Sequence, residues 1–332
     1  MDIRDRRQIH QTASQALRTA PGDPQKVVLV YAGISCLLTL VSACLSYYLN
    51  GEIANTGGLS NMGLRSILST ISALLPMAQT LVLLGLELGY CSVMLDVARG
   101  RGAEARNLSA GFQRFGPMLR ATLLQGLIYL AIFIGAAYLS VWIFMLLPVS
   151  NTFYELAAPI MESFTTMSVG FTLDNETLFA LNGALLPYYV ILLVLCCVMI
   201  IPIMYQYRMV TFCIADGEQP RALAALRDSI QMMRRNRFAL FRLDLSFWWY
   251  YLLQALVSVI CYGDMLLSMA GIALPWSSGV STLLFLAMSL LLQLAVFYFF
   301  LNRVTVTYAT AYDALRPRPQ TNSIPLGNIF DM

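Results

Sequence analysis

Six long apolar runs set what this chain can become. They are Val27–Leu49, Ile67–Ala98, Met118–Leu147, Gly183–Ala215, Leu243–Tyr262 and Ser281–Ala311. A helix needs about 20 predominantly apolar residues to cross the hydrocarbon core of a bilayer, and each run meets that length. The expected fold is an all-α, polytopic membrane helix bundle with six transmembrane helices. Several runs exceed the minimum, which leaves room for tilt or for a turn or two beyond the membrane. Pro76, Pro187 and Pro202 lie inside runs. Each removes a backbone donor, so each predicts a kink.

Composition agrees with lipid as the solvent. The chain is 58% hydrophobic and 12% charged, with a mean hydropathy of +0.67, and a soluble globular protein carries about twice that charged fraction. The net charge is +3, and no block of like charge points to a nucleic-acid partner. Cys36, Cys44, Cys91, Cys196, Cys197, Cys213 and Cys261 all fall in or beside apolar segments, where cysteine behaves as a small hydrophobe. The first 25 residues are polar, and no small-residue cleavage site follows the first apolar run. Insertion through an uncleaved first helix is expected.

Charge in the connecting segments gives an orientation. Arg4, Arg6, Arg7, Arg18 and Lys26 precede the first run. Arg99, Arg101, Arg106 and Arg114 follow the second, Arg221 to Arg242 follow the fourth, and Arg316 and Arg318 follow the sixth. The first intervening segment holds only Arg65, and the third and fifth hold no Lys or Arg. The positive-inside rule therefore places both termini in the cytoplasm. The expected domains are a cytoplasmic amphipathic segment over 1–26, a six-helix transmembrane domain over 27–312, and a flexible cytoplasmic tail over 313–332.

Amphipathic stretches lie between the spans. Ile9, Ala13, Ala16, Leu17 and Ala20 recur at helical spacing, which predicts a short helix on the inner leaflet. Leu223, Leu226, Ile230 and Met233 predict a second stripe, with Pro220 in its first turn and Asp216 and Glu218 near its N-terminal end. Leu108, Phe112, Phe115 and Leu119 form a weaker one. On the outward side, Phe153, Leu156, Ile160, Met161, Phe164 and Met167 follow the same period. Such helices either anchor the ends of the spans or dock a partner. The candidate docking residues are Arg227, Arg234, Arg235, Arg237 and Asp244. The partners expected are anionic lipid headgroups at the cytoplasmic face, or a protein.

The second, fourth and sixth runs end alike, in ELGYCSVMLDVARG, YQYRMVTFCIADGE and RVTVTYATAYDAL. In each, a charged residue precedes an aspartate: Glu87 before Asp96, Arg208 before Asp216, Arg303 before Asp313. This points to three tandem hairpin repeats, or to convergence on a common helix ending. An isolated charge inside a span costs roughly 2.5–3.5 kcal/mol on insertion scales. Glu87 is therefore expected to pair with Arg208, Arg303 or both. The alternative is that the arginines snorkel to headgroups. Such a cluster would either clamp the helices or line a solute path. Gln79, Gln125, Gln254, Gln293 and Asn302 are the embedded amides, expected to hydrogen-bond across the bundle or line a cavity.

Catalytic signatures are missing from the sequence. His10 is the only histidine, which removes His-based triads and the common zinc motifs. No phosphate-binding loop motif occurs. No catalytic residue, metal or cofactor is expected.

Residues 201–253 carry a family resemblance. They read IPIMYQYRMVTFCIADG and then DSIQMMRRNRFALFRLDLSFWWYYLL. Ser229, Met232 or Met233, Arg237, Phe241, Leu243, Leu245, Ser246 and Phe247 occupy the places of a family segment of the form S-x-x-M-x-x-x-[KR]-x-x-x-F-x-L-x-[LF]-S-[FW]. The chain thus resembles the bacterial integral membrane proteins grouped as Domain of Unknown Function 975. The resemblance implies the bacterial inner (cytoplasmic) membrane and implies no activity. The expected function is that of a non-enzymatic scaffold, accessory or envelope-associated protein. The alternative is a transporter or channel for a small solute or lipid-like molecule, working through Glu87, Arg208 and Arg303.

Overall fold

A computed structural model describes residues 5–55, 62–165, 175–217, 221–269 and 278–316. Pro220, Glu218, Met167 and the tail from residue 317 lie outside the described residues. Among the described residues there is no β-strand. A single bridge joins Gly22 to Ala103. The helices are α1 (Arg6–Thr19), α2 (Pro24–Asn55), α3 (Met62–Ala98), α4 (Ala110–Gln113), α5 (Phe115–Met145), α6 (Val149–Thr165), α7 (Asn175–Tyr207), α8 (Val210–Asp216), α9 (Ala222–Met233), α10 (Arg237–Ser246), α11 (Trp248–Cys261), α12 (Gly263–Met269), α13 (Ser278–Val296) and α14 (Asn302–Leu315).

Five helices are long and apolar enough to cross a membrane: Pro24–Ile53, Gly63–Ala98, Phe115–Met145, Ala180–Asp216 and Val280–Leu315. The shortest has 30 residues and the longest 37. At 1.5 Å per residue even the shortest reaches beyond a hydrocarbon core of about 30 Å. Leu37, Leu127, Leu193 and Leu291 are each at least 60% exposed. So much apolar surface on the middle of long helices needs lipid to cover it. α3 continues through Pro76, and α7 through Pro187 and Pro202. Beyond Pro76, Thr80 donates its hydroxyl to the Pro76 carbonyl at 2.8 Å.

The fifth expected span differs. α10 and α11 meet at a bend of 69° beside Phe247. α11 has 14 residues, roughly 21 Å of helix, too short to cross alone. The pair makes a sixth crossing only if both halves count as one broken span. No proline or glycine marks the break. The N-terminal helix α1 marks it instead: the His10 ring stacks edge-on to Phe247 at 5.0 Å, and His10 Nε2 lies 2.8 Å from Ser246 Oγ.

The chain forms two compact units, residues 1–118 with 209–332, and residues 119–208. In the second unit, Phe144 of α5 packs edge-on against Phe153 of α6 and Tyr188 of α7, both at 6.0 Å. Tyr129 and Tyr207 tie α5 to α7 lower down, at 6.4 Å.

In the first unit α2, α3, α13 and α11 pack side by side, and α14 lies on α3. Gln79 Nε2 donates to Thr39 Oγ1 at 3.0 Å, joining α3 to α2. Asn302 accepts from the Tyr90 hydroxyl at 3.0 Å and donates to the Pro24 carbonyl at 3.1 Å. These are cross-bundle bonds of the kind embedded amides make. Gly85 and Gly89, one turn apart on α3, let the segment 105–113 settle backbone to backbone. A Cβ at Gly89 would stand 2.0 Å from the Leu108 carbonyl oxygen, and one at Gly111 would stand 2.2 Å from that of Gly85.

Two amphipathic expectations change. The apolar stripe of α1 packs on protein, against α14 and α3, with Ile9 and Ala13 buried. α9 buries Ala225, Leu226, Ser229 and Met233 and leaves Leu223 64% exposed. Its inward face is therefore rotated from the expected leucine stripe. Small residues at 225 and 229 allow α9 to approach α8 closely, and Leu223 is left outward.

The docking of α1 is predicted to weaken as pH falls. Burial, and secondarily Arg6, hold the His10 imidazole below its ordinary range. Ser246 donates its hydroxyl to the Leu243 carbonyl, so the docked ring offers Nε2–H to it as the neutral form. Above about pH 6.5 the ring is neutral whether docked or not. Below it the undocked helix takes up the proton first, which favours undocking. Hydrogen exchange over residues 6–19, corrected for intrinsic rate, should accelerate between about pH 7 and pH 5. The same measurement on His10→Gln should show no such step.

Candidate functional site

Charged groups concentrate where α3, α8 and α14 end. The last turn of α3 closes in a Schellman motif: Arg101 N–H bonds to Asp96 O at 2.8 Å, and Gly100 N–H to Val97 O at 3.0 Å. Gly100 takes the left-handed φ of +72° that this ending requires. The chain reverses there, and the Arg99 side chain reaches across to two other helix ends. Its Nη1 and Nη2 bond to the two Asp216 carboxylate oxygens at 2.5 and 3.0 Å. Its Nε and Nη2 bond to Asp313, with contacts from 2.5 to 3.1 Å. One planar guanidinium thus serves two carboxylates with a two-pronged grip on each.

The surrounding residues complete the cluster. Arg316 pairs with Asp216 from the other side, and the Tyr312 hydroxyl donates to Asp216 Oδ2 at 3.2 Å. Arg114 donates to the Ala215 carbonyl, an orphan acceptor at the end of α8. Cations at helix C-termini also answer the negative end of the dipole. Asp96 pairs with Arg101 at 3.0 Å. Asp216 and Asp313 hold the Arg99 guanidinium above its already high range, so it stays charged at any working pH. The charges of Arg99 and Arg316 balance those of Asp216 and Asp313. The arrangement ties helix ends together.

The expected Glu87–Arg208–Arg303 set is distributed differently. Glu87 lines a cleft of about 450 Å³ among α2, α3, α11 and α13, facing Tyr31, Ser35, Thr39 and Gln293. Arg303 lines another cavity, of about 860 Å³, beside α1. Glu87 and Arg303 are not brought together. Arg208 closes the 119–208 unit, within electrostatic reach of the Tyr129 phenol. Of the docking candidates, Arg227, Arg234 and Arg235 are exposed, Arg237 is half-buried and Asp244 is buried. Arg235 lines a cavity of about 500 Å³ next to the ion cluster, with Asp228, Asp216 and Arg316. Asp216 does not open α9. It ends α8, where the dipole opposes it, and Arg99 and Arg316 supply the compensation.

Arg99 was not singled out from sequence, because an arginine after a span is the commonest sign of a cytoplasmic edge. The aspartates of the three matching endings were the available signal. The glycine spacing GLELG at 85–89 was the signal for the close seat of 105–113.

Among the described residues no group of three or more His, Cys, Asp or Glu could hold a metal ion. Long apolar helices, lipid-suited surfaces and a charge clamp at their ends define the class: a helical protein of the membrane-spanning kind. Within it, the chain belongs to the family described as Protein of unknown function (DUF975), whose model matches residues 1–318. No curated protein and no solved structure matches the chain.

Removing Arg99 leaves two carboxylates crowded at helix C-termini. Arg99→Gln is expected to destabilise the fold by about 3 kcal/mol, the scale for breaking a largely enclosed ion pair. Asp313→Asn should cost less, since Asp313 is more exposed than Asp216. Thermal unfolding in detergent of the single and double variants should show strong non-additivity. Additive losses would mean the three groups do not act as a unit.

Proposed function

We propose that the chain is a non-enzymatic integral protein of the bacterial cytoplasmic membrane, acting as a scaffold or accessory component. It crosses six times, counting α10 with α11 as a broken span, and keeps both termini in the cytoplasm. The three similar span endings mark three hairpins in tandem. The observation that carries this reading is the use of charge at the helix ends. Arg99, Asp216, Asp313 and Arg316 neutralise one another in a clamp, as a rigid framework requires and as catalysis does not. Support for the orientation comes from the same place. The ends of the second, fourth and sixth runs meet there through Arg99, Asp216 and Asp313, and the N-terminal segment lies beside the segment after α3 through Gly22 and Ala103.

A second reading is favoured by the Glu87 cleft. A carboxylate among tyrosine, serine, threonine and glutamine side chains, within apolar helices, is what a solute path would need.

Reporter fusions test the orientation. A fluorescent protein after residue 332 and one inserted near residue 236 should both be bright, and periplasmic alkaline phosphatase should be active after residue 55 and after residue 269. Phosphatase activity at the C-terminus would mean an odd number of crossings and would end the six-span proposal. Extraction into native nanodiscs tests the role. A partner protein at fixed stoichiometry, retained in Glu87→Gln, is expected. Solute uptake into proteoliposomes that Glu87→Gln abolishes would replace the scaffold reading with the second one.

A further inference from the structure

Several cations of the first unit are ion-paired, and two that are not share one cavity. Arg99, Arg101, Arg316 and Lys26 are each answered by an aspartate. Arg18 and Arg303 make no ion pair with any described residue, yet both line the same cavity of about 860 Å³. Arg18 sits in the last turn of α1. Arg303 sits in the first turn of α14, inside the last apolar run.

The walls of this cavity have two characters. On the polar side are the two arginines with the hydroxyls of Ser14 and Thr307. Both hydroxyls donate to backbone carbonyls, so their free lone pairs can accept. Asp23 also lines the cavity, but Lys26 answers it at 3.5 Å. His10 is held neutral by burial and spends Nε2 on Ser246. The polar side therefore carries two arginines and one aspartate, a net positive charge. On the apolar side are Leu17, Phe247 and the rings of Tyr298 and Phe299. The two rings belong to a π-helical turn, Phe297–Leu301, between α13 and α14. Such a turn re-aims the side chains that flank it and recurs at functional sites. Phe299 is 65% exposed, on the side from which an acyl chain would approach.

We propose that this cavity binds the phosphate-bearing headgroup of an anionic phospholipid. Arg18 and Arg303 take the phosphate. The Ser14 and Thr307 oxygens accept from headgroup hydroxyls, and Leu17 and Phe299 cover the first carbons of an acyl chain. The inference rests on the membrane reading above and gives its lipid partner a site. It also accounts for Arg303, whose charge inside an apolar run otherwise lacks an anion.

Native mass spectrometry of the full chain in detergent tests it, with phosphatidylglycerol, phosphatidylcholine and inorganic phosphate as separate probes. One phosphatidylglycerol should bind about tenfold or more tightly than phosphatidylcholine, the scale of one charge-assisted contact. Arg18→Gln and Arg303→Gln should each lower that affinity about tenfold. Arg303→Lys should retain most of it, and Arg227→Gln all of it. Equal binding of the two lipids would overturn the proposal, as would an equal loss in Arg227→Gln, which would indicate diffuse attraction. Inorganic phosphate displacing the lipid at matched concentration would make this a free-anion site and overturn it too. If Arg303→Gln fails to fold, Arg18→Gln, on the exposed face of α1, decides alone. Failure here with the reporter fusions intact leaves the membrane topology standing.

Discussion

Much of the first unit hangs from a single guanidinium. Arg99 holds Asp216 and Asp313, and so fixes the ends of α8 and α14 to the end of α3. Carbonyls at the ends of three helices would repel one another if brought together bare. With Arg99, Arg114 and Arg316 among them, the same closeness becomes favourable. The Schellman turn at Gly100 is what aims Arg99, and the glycine seat at 85 and 89 is what steadies α3 beside it. The clamp therefore depends on backbone geometry at the next residue and about three to four turns back along α3.

Along the bundle the design separates tasks by depth. Near the clamp, small and polar side chains pack tightly: Tyr90 stacks on Tyr31 at 4.7 Å, and Asn302 bridges Tyr90 to Pro24. Further out, contacts are fewer and leucines face outward. At the far end, Asp264 accepts hydrogen bonds from Ser281 and Thr282, which pin α12 to α13 and hold its carboxyl below the usual range.

Much of this was legible in the residues. Five of the six runs became helices long and apolar enough to span, as apolar length alone predicts. The inward face of α1 followed from the spacing of Ile9 and Ala13. The bend at Phe247 did not, because its partner, His10, is 236 residues away in the chain and no Pro or Gly stands nearby. The inward face of α9 was misplaced because periodicity favours large residues, whereas close packing on α8 selects Ala225 and Ser229. The charged cluster was sought too deep. Glu87 and Arg303 stand out within apolar runs, but the groups that meet are the aspartates at the helix ends, where a charge costs little and draws no notice.

The long span of sequence within the clamp bears on how the protein is made. Arg99 leaves the ribosome more than a hundred residues before Asp216, and Asp313 follows almost a hundred later still. Until α14 arrives, Arg99 and Asp216 can meet, but the third helix end is absent. A nascent chain is thus only partly latched until α14 emerges, and α14 is the helix that locks it. Truncation before Arg316 would remove one cation of the latch, and truncation before Asp313 would remove one of its two carboxylates.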